Sequence, residues 1–322
     1  MHANRNDPTR DPWARRAAAA LGAVVLVALG VFAGATLTSD DAGPAATPVP
    51  APTPSSSPEP SPTSKPEPTR VRVPTAAHEL WFVQGETLSW GATVIGGRIE
   101  RDRAADDPIS QKAAFWFDIL LIGAQGAFQE AGDETAIPEG TELLYVERDG
   151  SVLNVDLSSE FESGGGSLSM QLRVAQIVYT GTQFEGIDAV RILLDGKRVD
   201  AIGGEGIVAS EPLTRRDFQN VAPPIVPESP KPGAEISGSV VVSGFANVFE
   251  ANVVIQIRDL SGKILAETFT TATCGSGCWG DFSEEVAFEI DAPQEGSVSV
   301  LTYSAEDGSE RDRISIPVML LP

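Results

Sequence analysis

The chain has 322 residues, of which 45 are acidic and 23 basic, for a formal net charge of −22. An acidic balance of that size repels nucleic acid, anionic wall polymers and lipid headgroups, so nucleic-acid binding is excluded as a function class. Two cysteines and two histidines leave little from which to build a metal centre or a histidine-activated nucleophile.

Residues 1–16 are polar, with Arg5, Arg10, Arg15 and Arg16 against Asp7 and Asp11. Ala17 to Leu37 carries no charge and predicts a helix of about 30 Å, enough to span a bilayer's hydrocarbon core. Arginines ahead of it set the N-terminus in the cytoplasm and the rest outside. A signal peptide cleaved at Ala33-Gly34-Ala35 is the competing reading; the apolar run is longer than the usual signal core, which favours an anchor over 17–37. No cysteine lies near it to carry a lipid. Residues 38–74 are dominated by Pro, Ser, Thr and Ala, cannot fold by burial, and predict an extended spacer of up to roughly 100 Å.

A first folded unit is expected over 75–218. Glu79–Gln84 is an apolar strand, and Thr93–Arg101 a second, interrupted by Gly96-Gly97. Asp106-Asp107-Pro108 marks a helix start. The helix runs over Ile109–Ile122, with Ala113, Phe117, Leu120 and Leu121 on one side, and Gly123 and Gly126 stop it. Thr141–Arg148 and Ser151–Leu157 form a hairpin about Asp149-Gly150. In the second of these strands Leu153, Val155 and Leu157 share one face. Gly164–Gly166 then break the chain, and Ser167 is placed to cap a helix whose wide apolar arc, Leu168, Leu172, Ala175 and Tyr179 with Met170, Val174, Ile177 and Val178, belongs on a sheet. Val190, Ile192 and Leu194 alternate as another strand. Asp195-Gly196 is a type I′ hairpin signal returning the chain through Lys197 to Ile202. The expected class is α+β, two helices on one mostly antiparallel sheet.

VAPPIVPESPKPG carries five prolines and sets a linker over 219–233. In 234–322 helical patterning stops. Short β-rich runs follow at Glu235–Val242, Ala251–Asp259, Lys263–Thr271, Asp281–Ile290, Ser297–Ser304 and Arg313–Leu320, separated by turns. That spacing predicts a β-sandwich.

LNVDLSSEF, the polar-Gly loop after it, and LRVAQIVYTGTQFEGIDAVRILLDG, in that order, resemble the GerMN domain, the sporulation and spore-germination module of bacterial envelope proteins. PGAEISGSVVVSGFANVFEANVVIQIRD and CGSGCWGDFSEEVAFEI resemble Gmad2, an immunoglobulin-like module that often follows GerMN. The resemblance implies an envelope location and a link to sporulation or germination, and supplies no reaction.

The residues point the same way. His78 is the only histidine beyond the anchor, and no G-x-S-x-G, P-loop or H-E-x-x-H motif occurs. Asp156 with Glu160 could be cast as a glycosidase pair, but in so acidic a chain they read as strand-end and loop-cap residues. Cys274 and Cys278, four apart in an exported unit, predict a disulfide rather than a metal site. Hence no enzyme activity, cofactor or metal is expected. With 16 basic and 39 acidic residues beyond residue 74, the formal charge there is −23. The expected function is a single-pass, extracytoplasmic binding or assembly protein of the envelope, with peptidoglycan or an envelope protein as partner. The alternatives are an accessory or sensor subunit, and then a wall hydrolase. Contact is expected at the Ser158–Ser167 loop (Ser158, Ser159, Glu160, Phe161) or at the cystine loop with Trp279, which the sequence leaves open as either a core residue or a contact anchor.

Overall fold

The computed structural model describes residues 77–94, 104–204 and 206–322. The expected cytoplasmic segment (1–16), anchor (17–37) and spacer (38–74) lie outside these, as does most of the strand expected over Thr93–Arg101. No helix among the described residues is long and apolar enough to cross a membrane.

The apolar ELWFVQ run forms β1 (Ala77–Gln84). It pairs with β2 (Thr87–Val94) through a turn at Gly85-Glu86, so its partner begins before Thr93. TLSWGATV holds too few large apolar residues to announce a strand; its pairing with β1, Trp90 opposite Trp81, supplies what the pattern lacks. Helix α1 (Pro108–Ile122) starts as the sequence predicts: the Asp107 carboxylate accepts the backbone N–H groups of Ile109 and Ser110, each at 3.0 Å. Ala113, Phe117 and Leu120 are buried, Leu121 half-buried, and Gly123 ends the helix. A single turn, α2 (Ala127–Glu130), follows.

Strands β3 (Leu143–Asp149) and β4 (Val152–Leu157) close as a hairpin at Asp149–Val152, which moves the two-residue turn to Gly150-Ser151. Leu153, Val155 and Leu157 all face the core. Helix α3 (Ser167–Gly181) then crosses to β5 (Ala189–Leu194), which lies parallel to β4. The return to β6 (Lys197–Arg198) uses Asp195 and Gly196 with φ of 49° and 74°, matching the type I′ signal. That return stops early: β7 (Ala201–Ile202) pairs with β8 (Ile207–Val208) as a separate ribbon. The four-stranded order is β3-β4-β5-β6.

Three expectations for this half need correction. The β1–β2 hairpin is a sheet of its own, and α3 packs against both it and β5. Gly166, not Ser167, is the N-cap of α3; Ser167 is the first helical residue, and Leu168 is exposed. From Leu172 to Gly181 the helix is buried on every side, polar residues included. Two amides, Gln176 in the helix and Gln183 just past its end, act as backbone partners. Gln176 donates to the Trp81 carbonyl and accepts from the Ala136 N–H, both at 2.9 Å. Gln183 accepts the Glu79 N–H at 2.6 Å and donates to the Glu79 carbonyl at 2.9 Å. Side-chain amides thus take the place of a neighbouring strand along β1.

The proline-rich 219–233 segment folds instead of linking: β9 (Ile225–Ser229) pairs with β11 (Ser239–Ala246). At Gly244 the two backbones come so close that a Cβ would strike the Val226 carbonyl and the Pro227 Cα. β10 (Glu235–Ser237), β12 (Asn252–Asp259), β13 (Ile264–Thr271), β14 (Gly280–Ala287), β15 (Gln294–Tyr303) and β16 (Glu310–Leu321) fall close to the runs read from the sequence, except that Gly238 divides the first of those runs. The strands hydrogen-bond in the order β13-β12-β15-β16-β10-β11-β14. The two ends, β13 and β14, pack against each other, so the path folds back into two layers around Val242, Phe245, Ile255, Ile257, Val298, Val300 and Ile316. The result is immunoglobulin-like.

Candidate functional site

The most constrained polar group in the molecule lies where the two halves meet. Glu79 interrupts the apolar β1 and is buried, as is Arg215 in the 3-10 turn Arg215–Val221. Arg215 donates to Glu79 Oε2 at 2.8 Å, to Thr182 Oγ1 at 2.7 Å, to the Tyr179 carbonyl at 3.0 Å and to the Pro227 carbonyl at 3.2 Å. Its guanidinium carbon lies 5.4 Å from the Trp81 ring centroid and 5.2 Å from that of Tyr179. Trp81 Nε1 donates to the same Glu79 oxygen at 3.0 Å. One side chain thereby ties β1, the end of α3 and β9 together, by charge, fork geometry and ring stacking. Tyr179 donates back to the Arg215 carbonyl at 3.0 Å, and burial drives its hydroxyl pKa far above the ordinary value. Beside it Lys231 donates to the Thr182 carbonyl at 2.8 Å; burial, then the nearby Arg215 charge, pulls its ammonium down to about 8. On the surface next to this clamp Arg216 bridges Asp281 and Glu228 and lies 4.7 Å above the Phe245 ring. The composition-led reading missed the clamp. The one sequence signal for it is Glu79, a carboxylate at the head of the apolar run Leu80–Val83.

The first expected contact loop is held from beneath. Phe161 is fully buried and is a core residue, not a contact. Ser158 is also buried: its hydroxyl accepts the Glu142 N–H at 3.0 Å. Arg173, inside α3, donates to the carbonyls of Phe161, Ser163 and Gly164 at 2.7–3.1 Å. Burial lowers its pKa. Ser159 and Glu160 remain exposed. The Ser158 hydroxyl and the Glu160 backbone N–H hold the Glu160 carboxyl below the usual range. Asp156 accepts the Gly196 N–H at 2.9 Å, a turn-capping role.

The second loop is in the other half, so the structure does not bring the two groups of expected contact residues into one site. Cys274 and Cys278 are joined as a disulfide. Within the ring Ser276 donates its N–H to the Val248 carbonyl at 2.9 Å and accepts the Glu250 N–H on its hydroxyl at 3.1 Å. The cystine therefore braces the 3-10 turn Phe249–Ala251, where Glu250 and Ala251 both have positive φ, 55° and 56°. Phe249 projects from that turn and is 68% exposed. Trp279 is half-buried and packs edge-to-face on Phe245 at 5.3 Å, so it serves chiefly as a packing residue and Phe249 takes the projecting position. Among the described residues no group of three or more His, Cys, Asp and Glu is placed to hold a metal ion. His78 stacks on Trp116 at 4.6 Å, within the core.

Two family models match the chain. The one described as "Sporulation and spore germination" matches residues 99–200, and the one described as "Immunoglobulin-like domain of bacterial spore germination" matches residues 225–309. No curated protein matches significantly. Among solved structures, the first GerMN domain of the sporulation protein GerM from Bacillus subtilis is 19% identical, with 44% of this chain and 99% of that one covered and a TM-score of 0.34. The tandem GerMN domains of the same protein give 16% identity and a TM-score of 0.36 over 77% of this chain and 61% of that one. A proposed lipoprotein from Clostridium perfringens gives 21% identity and a TM-score of 0.32 over 45% and 91%. By its two family matches, the chain joins a GerMN domain of the sporulation and spore-germination family to a Gmad2 immunoglobulin-like domain.

Proposed function

We propose that the chain is a membrane-anchored, extracytoplasmic binding or assembly protein of the bacterial cell envelope, working in sporulation or germination without catalysing a reaction. In this reading 1–16 stay in the cytoplasm, 17–37 anchor the chain, and 38–74 lift two modules, 75–218 and 234–322, towards the wall. The observation that carries it is the Arg215 clamp: it fixes one germination-type module to the other, so their exposed loops are presented from a single body. A rigid two-module body suits contact with a large partner better than turnover of a small substrate.

The test is co-sedimentation of the purified full chain with cleaned peptidoglycan at moderate salt. Pelleting with the wall is the expected result. A chain that stays in the supernatant at every salt concentration tried would overturn wall contact and direct the search to envelope proteins by crosslinking in intact cells. Resistance of the chain to carbonate extraction from membranes tests the anchor separately.

A further inference from the structure

The solvent side of the immunoglobulin-like sheet carries a cluster used by neither the clamp nor the cystine loop. Across β13, β12 and β15, one row of the ladder sets Glu267, Gln256 and Ser299 side by side, and the next sets Phe269, Val254 and Leu301. Tyr303 stands one row further along β15. Even so, its hydroxyl reaches back across the second row to the first, accepting from Gln256 Nε2 at 3.1 Å and donating to Glu267 Oε2 at 3.3 Å. A tyrosine can make that reach only by laying its ring along the sheet, over Val254 and Leu301. Both of those residues are accordingly buried, although they face away from the core of the sandwich. Tyr303 is 45% exposed, and Phe269, on the same face, is 67% exposed. Planar polar groups border the rings. Arg258 donates to Gln256 Oε1 at 2.8 and 2.6 Å and to Glu310 Oε1 at 2.9 Å, and Arg313 pairs with the same Glu310.

We propose that this face binds a linear glycan of N-acetylated hexoses. The proposal rests on the wall-contact reading above and names the component of the wall and the place where it is held. A pyranose ring has one face of C–H groups, which pack on the electron-rich face of a flat aromatic ring. Its equatorial hydroxyl and acetamido groups lie in the ring plane, where the Glu267 and Glu310 carboxylates, held in place by Tyr303 and Arg258, can accept their hydrogens edge-on. The site is an open sheet face with no walls, which suits a polymer lying across it; a small free ligand takes a concave pocket. From residue 234 onward the chain has four cations, Arg258, Lys263, Arg311 and Arg313, against 14 acidic residues. Two of the four converge on Glu310, locally offsetting the negative surface that would otherwise repel wall material.

The experiment compares the full chain with Phe269→Ala, Arg258→Gln and Phe249→Ala in sedimentation with sacculi, with the tetramer of N-acetylglucosamine as competitor. The last variant removes an equally exposed phenylalanine elsewhere and controls for general stickiness. Expected are pelleting of the native chain, competition by the tetramer, a drop of about fivefold or more for Phe269→Ala and Arg258→Gln, and none for Phe249→Ala. Pelleting of the native chain that is indifferent to Phe269→Ala and Arg258→Gln overturns this site and leaves the wall reading standing. Pelleting lost when the sacculi are first treated with protease also overturns it, in favour of a protein partner. A native chain that does not pellet removes both. Unchanged melting of Phe269→Ala confirms that the fold is intact.

Discussion

Each half of the molecule brings an arginine to a glutamate at nearly the same distance, 2.8 Å for Arg215–Glu79 and 2.9 Å for Arg258–Glu310. Their side chains differ in exposure: 5% and 3% for the first pair, 17% and 36% for the second. In the first pair both charges are out of water and Arg215 donates from all three of its nitrogens, so the pair is structural and breaking it leaves an uncompensated charge in the core. In the second, Arg258 is spent on Gln256 and the Gly262 carbonyl and holds Glu310 in place, while the carboxylate itself is partly in water and keeps an edge open to a ligand. Burial, not distance, separates a clamp from a contact surface.

The comparison can be broken most sharply at its buried end. Arg215→Ala should cost about 3–5 kcal/mol in urea unfolding, because Glu79 is left buried and alone. The double replacement Arg215→Met with Glu79→Leu should cost much less than either single change, which a double-mutant cycle reads directly. Phe161→Ala should cost about 3 kcal/mol, as a core residue would; a variant of native stability would return this residue to the contact surface.

The clamp also predicts a pH dependence. The folded-state ammonium of Lys231 titrates near 8, below its ordinary 10.5. Between those values the unfolded chain holds a proton that the folded chain has lost, so stability from this group rises with pH. Roughly 2 kcal/mol should be gained between pH 7 and pH 9.5, below the range where Tyr179 begins to act in the opposite sense, and Lys231→Met should flatten the gain. Loss of the disulfide in Cys274→Ser with Cys278→Ser should cost about 2 kcal/mol, the loop-entropy value for so short a ring, and should loosen the Phe249 turn in hydrogen exchange. Smallest of all, Phe269→Ala, at a residue 67% exposed, should change stability by less than about 1 kcal/mol while weakening wall binding.

Most of the fold was legible in the sequence wherever one physical signal decided the outcome. Asp107 with Pro108 placed a helix start, Asp195-Gly196 placed a hairpin, and the period-two runs after residue 234 placed six of the strands. The misses share a cause, namely contacts from distant parts of the chain. β2 is a strand because β1 lies beside it, and β9 is a strand despite Pro227 because β11 offers an edge. Along α3, Arg173 and Gln176 lie outside the apolar arc read from the sequence; the β1 backbone and the Phe161–Gly164 loop turn them inward as hydrogen-bond partners. The clamp was illegible for the same reason, since Glu79 and Arg215 are 136 residues apart. Phe269 and Tyr303, likewise, become neighbours only once the strand order is known.

The most direct test of the clamp follows urea unfolding of the full chain by tryptophan fluorescence and far-UV circular dichroism together. Trp81, Trp90 and Trp116 lie in the GerMN half against Trp279 alone in the other, so the fluorescence is weighted to the GerMN half, while the dichroism includes the strands of both halves. The clamp predicts coincident curves for the native chain, and for Arg215→Ala a fluorescence transition shifted to lower urea and separated from the dichroism. Two separate transitions already present in the native chain, or coincident curves in Arg215→Ala shifted by less than about 1 kcal/mol, would contradict it.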